Sequence, residues 1–419
     1  MESSTRTSRR DAGGSYRSLD RSIHILFVAR IINRFGDFVQ MLLVLILTVS
    51  IGMEAHLAGL FATLTILAAS FGQLVGGIVA DKFPRKHVMV SCQLSVAVLY
   101  ASCALLITES PMTVAYLILL SSPFRGATWP ISHALVADYS HGEIERAKAF
   151  SLLYLGSNIG VAVGPLVAAF LFSRNLPLLF LVSSGTLVIA SSLLGFLLPR
   201  HPVETDLAPS ESHGKQKSLW RLFFGNRMLV LYVVAFTLYN FIYVQHGFAL
   251  PLQMNSIFGT QAGTEGYGWL MSVNALTVLL MTACVIHLTL RVSRAISMAI
   301  GCLFYVVGFG LYAVCSSLPT FLGATFIWTI GEILLATNGN VFVNQHAPST
   351  HRARFNSIVS VTTGLGSTLG PFVGGMILAH ATYAFLWMVM VGTAILISIL
   401  FVWLRVLVVN SETHGSVAL

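Results

Sequence analysis

Apolar runs of about 20 to 28 residues recur along the whole chain, each long enough to cross a hydrocarbon core of about 30 Å as an α-helix. Strands of a membrane barrel would need about half that length and would alternate polar with apolar residues. Composition agrees with helices in lipid. The 419 residues are 55% hydrophobic and 10% charged, with a mean hydropathy of +0.80, whereas a soluble domain carries about 25% charged residues. The expectation is an all-α integral membrane protein with twelve transmembrane spans, at 23–51, 57–80, 88–108, 112–137, 147–172, 176–198, 228–254, 266–290, 295–316, 319–344, 356–381 and 384–408.

The first span departs from the pattern. In Arg30-Ile-Ile-Asn-Arg-Phe-Gly-Asp-Phe-Val-Gln40, at about 100° per residue, Arg30, Arg34, Asp37 and Met41 share one arc flanked by Asn33 and Gln40. A charge at the bilayer centre costs at least about 2.5 kcal/mol even on the lenient insertion scale, so this face must meet protein or water.

The formal net charge of +8 is distributed by topology rather than as a nucleic-acid footprint. Arg6, Arg9, Arg10, Arg17 and Arg21 precede span 1, and Lys82, Arg85 and Lys86 follow span 2. Arg146 and Lys148 follow span 4; Arg200, Lys215, Lys217, Arg221 and Arg227 follow span 6. Arg291, Arg294, Arg352, Arg354 and Arg405 continue the series on the same side. Of the 24 Lys and Arg, only Arg174 falls on the other side, and Arg30, Arg34 and Arg125 lie within spans. The positive-inside rule therefore places both termini in the cytoplasm, in a cell membrane of the bacterial inner-membrane type. The first apolar run is too long for a signal peptide and lacks a small-residue cleavage site, so it reads as uncleaved. Cys92, Cys103, Cys284, Cys302 and Cys315 all fall in spans, with no CxxC pair, and read as apolar packers; no metal site or cofactor is expected.

The longest hydrophilic stretch, His201 to Gly225, divides the chain into a tail (1–22), an N-terminal bundle (23–198), a linker (199–227), a C-terminal bundle (228–408) and a second tail (409–419). Within the linker, Lys217-Ser-Leu-Trp-Arg-Leu-Phe-Phe224 has the pattern of a helix lying on the membrane surface. The bundles repeat. A shift of 206 carries Gly160, Gly164 and Pro165 onto Gly366, Gly370 and Pro371, and a shift of 205 lays Val39-Gln40 on Val244-Gln245. Two six-helix units in parallel repeat with a site at their interface is a transporter architecture.

After span 2 stands Gly77-Ile-Val-Ala-Asp81-Lys82-Phe-Pro-Arg85-Lys86. This resembles the G-x-x-x-D-R/K-x-G-R-R/K signature of the major facilitator superfamily, with Pro84 in place of the second glycine. The resemblance implies a cytoplasmic latch made by Gly77, Asp81, Lys82, Arg85 and Lys86, with Asp138 as the acidic partner of Arg85; a tight loop with topology-setting charges is the alternative. Span 5 carries Gly156, Gly160, Gly164 and Pro165, similar to the helix-packing motif of the drug/proton antiporter branch, with Ala168 and Ala169 replacing its closing glycines. Generic close packing would give the same small-residue stripe, as Gly366, Gly370 and Pro371 do in span 11. Arg125 precedes Pro130 by only five residues, so it does not match the superfamily's helix 4 motif.

In that family spans 1, 4, 7 and 10 line the central cavity. This resemblance makes Arg34, Asn33, Gln40, Arg125, His133, Tyr239, Tyr243, Gln245 and His246 candidates for substrate binding, and Asp37 and Glu332 candidates for proton coupling. Two arrangements are open. In one, Arg34 pairs with Asp37 and Arg125 reaches across to Glu332 as structural bridges. In the other, Glu332 or Asp37 exchanges a proton while a guanidinium holds an anionic or zwitterionic substrate. The expected function is proton-coupled efflux of small organic molecules by a monomer. A proton symporter importing a peptide, amino acid or organic acid, and a non-transporting receptor or scaffold, are the alternatives. With no soluble domain, Walker loop or metal-spacing cluster, an enzyme is not expected.

Overall fold

The computed structural model describes residues 19–199, 226–346 and 352–415. Most of the N-terminal tail, linker residues 200–225 with their amphipathic segment, and residues 416–419 lie outside the described residues.

Helix α1 (Arg21–Phe35) begins where the Asp20 carboxylate accepts the Ser22 N–H at 2.6 Å. Hydrogen bonds from the Ser22 side chain and then its backbone hold the Asp20 carboxyl below the ordinary carboxylate range. Then follow α2 (Ala55–Lys82), α3 (Arg85–Leu106), α4 (Pro111–Asp138), α5 (Gly142–Arg174) and α6 (Leu176–Leu197). The second half holds α7 (Arg227–Phe258), α8 (Thr260–Thr289), α9 (Arg294–Tyr312), α10 (Leu318–His346), α11 (Arg352–His380) and α12 (Tyr383–Gly415). Local chemistry starts several of them: Asn175, Asn226 and Ser293 accept N–H groups of the first turns of α6, α7 and α9, and Pro111 sits at the first position of α4.

Ten of these helices are long and apolar enough to cross a membrane. The other two expected spans are the ones that carry the buried arginines. α4 has the length, at 28 residues, but Arg125 and its polar neighbours dilute its apolar character. The first span is not the continuous helix expected at 23–51. α1 stops after 15 residues, Gly36 and Asp37 leave helical geometry (ψ 5° and 39°), and the chain resumes as short turns at Phe38–Met41 and Leu43–Leu45 and a π-helical turn at Ile46–Ser50. Gly36 lies so close to α6 that a Cβ there would overlap the Thr186 side chain, and the bend re-aims the Asp37 carboxylate. At the other end of the chain, α12 continues to Gly415, so residues assigned to a tail extend the last helix.

Within the N-terminal half α2 packs on α4, α3 on α4 and α6, and α1 on α5 and α6. The C-terminal half pairs α9 with α10 and α12, α7 with α11 and α12, and α8 with α10. The halves meet along two seams, α2 with α11 and α5 with α8.

Small residues set these distances, and the repeat holds contact by contact. A Cβ at Gly160 would come within 2.8 Å of the Ile31 carbonyl and the Phe35 nitrogen of α1, and one at Gly164 within 2.8 Å of the Phe35 carbonyl. Shifted by 206, Gly366 meets the Thr237 carbonyl and the Phe241 nitrogen of α7, and Gly370 the Phe241 carbonyl. Gly156 packs on Phe27 in the same stripe. The shift of 206, rather than 205, thus relates α1 to α7. It sets Asp37 opposite Tyr243; the first span breaks at Gly36–Asp37 and α7 has a turn at Val244. At the seams the Pro165 carbonyl faces Gly268 and the Pro371 carbonyl faces Gly59. Thr63 Oγ1 adds a hydrogen bond of 2.8 Å to the Thr368 carbonyl.

Gly77 has no such neighbour: a Cβ there meets nothing within 4 Å, whereas one at Gly76 would overlap Ala127 on α4. Gly77→Ala is therefore expected to leave the thermal unfolding midpoint unchanged or raised, since alanine is favoured in a helix by about 1 kcal/mol. Gly76→Ala is expected to lower stability by about 1–3 kcal/mol through overpacking, measured on purified protein in detergent.

Candidate functional site

Between the halves lies a cavity of about 370 Å³. Arg34, Asp37, Gln40 and Met41 line it from the first span, Pro165 from α5, Tyr243, His246 and Phe248 from α7, Tyr267 and Asn274 from α8, and Ser367 and Pro371 from α11. The named contacts across the halves all fall in the part of the bundle farther from the chain ends. They are Thr63 with Thr368, Gly59 with Pro371, Gly375 with Ala55, Gly268 with Pro165, and Ser173 Oγ with Glu265 Oε1 at 3.4 Å. A second cavity, of about 220 Å³, is enclosed by the N-terminal bundle and lined by Arg30, Asn33, Gln73, Gln93, Tyr100, Arg125 and Trp129, among others. Arg34 and Asp37 line both, so their side chains form the partition.

The break after Gly36 aims Asp37 at two cations. Its Oδ2 lies 3.4 Å from Arg34 Nη1, one turn back, and 3.5 Å from Arg125 Nη1 on α4. The carboxylate is 17% exposed and the arginines 39% and 32%, so the three form a half-buried ion cluster beside water rather than a sealed bridge. Gly126, next to Arg125, lies so close to α2 that a Cβ would overlap the Ala69 carbonyl, and this packing fixes the height of the arginine. Arg125 therefore does not reach across to Glu332, as one expectation had it; Asp37, on its own side, is nearer. Arg30 is separate from the cluster, its guanidinium 5.0 Å from the Trp129 ring centre.

Glu332 sits in a different environment. The Tyr243 hydroxyl donates to its Oε1 at 2.9 Å, and Asn274 Nδ2 donates to its Oε2 at 2.7 Å and approaches Thr329 Oγ1 at 3.0 Å. No Lys or Arg lies within 4 Å of this carboxylate among the described residues. Glu332 stands one hydrogen bond behind the central cavity, reached through Tyr243 and Asn274, which line it. Rings buttress this wall: Tyr243 packs on Tyr239, His246 and Trp328, and His246 Nδ1 donates a 2.6 Å bond to the Tyr243 carbonyl.

Five of the nine binding candidates lie elsewhere than the central cavity. Arg125 lines the second cavity and meets Asp37 at the partition. Gln245 is fully buried and donates to the Gly370 carbonyl at 2.8 Å, tying α7 to α11. Tyr239 is buried behind Tyr243, its hydroxyl 3.2 Å from that of Tyr305. His133 packs between Trp129 and Phe150 and lines neither cavity. Asn33 lines the cavity inside the N-terminal bundle, where its Oδ1 has no hydrogen-bond partner. Asn274, which holds Glu332, was not singled out from the sequence. The signal was present, since it is a lone amide in the apolar run of span 8.

On the face that carries the chain ends, Arg85 bonds Asp138 and lies 3.8 Å from Asp81. Lys86 donates to the Leu198 carbonyl at 2.6 Å. Lys82 is exposed at the end of α2. Arg85, Asp81 and Asp138 thus come together, while Gly77 stands one turn away against open space.

A family model described as Major Facilitator Superfamily matches residues 26–263 and 246–417. The chain belongs to the major facilitator superfamily. It is a multi-pass membrane transporter of small molecules, not an enzyme. Among its relatives in this superfamily, an uncharacterized transporter, YqjV of Bacillus subtilis (strain 168), is 26% identical over 80% of each chain. A Na(+), Li(+), K(+)/H(+) antiporter of Planococcus maritimus is 25% identical over 83% of this chain and 87% of its own. The multidrug resistance protein MdtH of Yersinia pestis (strain Pestoides F) is 25% identical over 78% of each. Solved superfamily-type structures share the fold. The nucleoside transporter NupG superposes with a TM-score of 0.77 at 16% identity, covering 92% of this chain and 99% of its own. A peptide transporter POT in complex with sulfate gives 0.74 at 16%, covering 95% and 97%.

The geometry ranks the effects of substitution in the ion cluster. Asp37→Asn leaves two guanidiniums without a carboxylate and is expected to cost about 2 kcal/mol, less than a fully buried pair because the site is hydrated. Arg34→Gln and Arg125→Gln each leave Asp37 one partner and are expected to cost less than half of that, measured as unfolding of purified protein. Equal costs for all three would show that Asp37 is not shared.

Proposed function

We propose that this transporter is a proton-coupled exporter of small organic molecules bearing an anionic or zwitterionic group, with twelve transmembrane passes and both termini in the cytoplasm. The observation that carries the reading is the contrast between two carboxyl groups at the central cavity: Asp37 is held by two guanidiniums, and Glu332 by neutral donors alone. The multidrug resistance and the cation/proton antiport named for two relatives support the direction.

The roles follow from that contrast. Asp37 is committed to its arginines, and a negatively charged substrate group competes with it for Arg34 and Arg125. Glu332 can accept a proton without stranding a cation. When it does, the Tyr243 hydroxyl loses its acceptor on Oε1 and turns to accept from the new O–H or to donate into the cavity. The proton therefore changes the hydrogen-bonding character of the cavity wall itself, and substrate and proton are linked through Tyr243 and Asn274. Gln40 and His246 complete the polar lining. Because the contacts across the halves lie far from the chain ends, we read this arrangement as open toward the cytoplasm. Rocking about the α2–α11 and α5–α8 seams would open the other face. Asp81, Arg85, Asp138 and Lys86 serve as the cytoplasmic latch in this reading, joined by Lys82 and Gly77 when the halves close on that side.

The test uses the compound that most raises the unfolding midpoint in a panel of acidic, zwitterionic and cationic molecules, with Na+ and K+ as further arms. In proteoliposomes that compound is expected to move against an imposed proton gradient. Glu332→Gln should retain binding but lose gradient-driven flux by at least about tenfold, which corresponds to about 1.4 kcal/mol of coupling. Flux unchanged by the substitution would exclude Glu332 as the coupling group. Co-movement of proton and compound would favour import by symport, and no proton movement a receptor. Tyr243→Phe should keep proton binding and uncouple it in part, seen as a two- to tenfold rise in substrate-independent proton leak or a matching fall in coupled flux.

A further inference from the structure

The two halves place a cation at equivalent points on the face carrying the chain ends, and they neutralise it differently. In the N-terminal half Arg85, at the first position of α3, is met by two carboxylates, Asp138 at the end of α4 and Asp81 at the end of α2. In the C-terminal half Arg294 holds the first position of α9, and its Nη1 donates to the neutral Asn338 Oδ1 of α10 at 3.2 Å. A cation in the first turn of a helix is opposed by the helix dipole, and the first turn of α9 has no acidic residue. Arg405 of α12 and His346 at the end of α10 converge on the same place.

Arg294, Arg405 and His346 line a cavity of about 230 Å³ together with Ser293, Gln345, Phe342 and Leu290; no Asp or Glu among the described residues lines it. His346 stacks on Phe342, ring centres 4.1 Å apart. The rim reaches the outer surface of the helices: Leu290, which lines the cavity, is 57% exposed, and Val406, next to Arg405 on α12, is 49% exposed. We propose that this cavity binds the phosphate of an anionic phospholipid headgroup, with Arg294 and Arg405 as its cations and Leu290 and Val406 beside the acyl chains. The lipid supplies in the C-terminal half the negative charge that Asp138 supplies in the N-terminal half. Basic pockets between helices at the cytoplasmic membrane surface are suited to such headgroups, each arginine being worth about fivefold in affinity. The site does not depend on the transport reading, because none of its residues lines the central cavity.

The test titrates phosphatidylglycerol into the full-length protein in phosphatidylcholine nanodiscs at constant total lipid, and follows the unfolding midpoint. A saturable rise is expected, with its half-maximum shifted about twenty-fivefold in Arg294→Gln/Arg405→Gln, the product of two fivefold effects. Arg291→Gln, an exposed cation on the neighbouring turn, should leave it in place. If the double variant folds poorly, Arg405→Lys against Arg405→Gln gives the same comparison with one charge. An equal rise in the double variant, or no saturable rise in the parent protein, overturns the proposal. A saturable rise with inorganic phosphate that abolishes the lipid effect would show that free phosphate, not lipid, is the ligand, and would overturn the assignment to lipid.

Discussion

One carboxylate oxygen, Asp37 Oδ2, is shared by Arg34 and Arg125, and much of the N-terminal half is arranged to make that possible. Three charges near the middle of a membrane are tolerable only as a compensated, partly hydrated group. Compensation requires α1 to stop at Phe35 so that Asp37 can turn, which requires Gly36 against Thr186. It also requires α4 to come close to α2, which requires Gly126 against the Ala69 carbonyl. Without those two close approaches the arginines would face an apolar interior with nothing to oppose them.

The repeat explains where the second half departs from the first. Positions related by a shift of 206 perform the same packing tasks, down to which backbone atoms of α1 and α7 face the glycines of α5 and α11. The charges are not repeated. Tyr243 stands where Asp37 would be, Asn240 where Arg34 would be, and Glu332 where Gly126 would be. Symmetric packing gives a cavity between like halves, and asymmetric charge makes its two walls chemically distinct, one with a carboxylate shared by two arginines and one with a carboxyl group held by neutral donors.

Fold class, the order of the helices and the small-residue stripes were legible because lipid and close packing impose simple requirements: apolar length, a glycine every fourth residue, and positive charge on one side. The Arg85–Asp138 pair was legible for the same reason, as a motif with one geometry. The interruption after Gly36 was not, since it depends on what α6 places opposite, and Thr186 is an unremarkable residue in sequence. Partner choice within the charged group was also hidden. Arg125 and Glu332 have comparable depth along their spans, and only the direction each helix presents shows that Arg125 meets Asp37 while Glu332 meets Tyr243 and Asn274. Gln245, Tyr239 and His133 shared helices with cavity residues but sit on faces turned toward other helices, which a span assignment alone does not distinguish.

The seams between the halves have one more property. At both of them a proline carbonyl lies against a glycine, Pro165 against Gly268 and Pro371 against Gly59, so main chain meets main chain at the closest approach, with the Thr63–Thr368 and Ser173–Glu265 hydrogen bonds beside it. Surfaces of this kind resemble plain bearings, in which no bulky side chain is wedged at the point of closest approach. Because the two bearings flank the central cavity, the line joining them is a natural axle, and the cavity sits where rotation about it displaces the walls least at the middle and most at the two mouths.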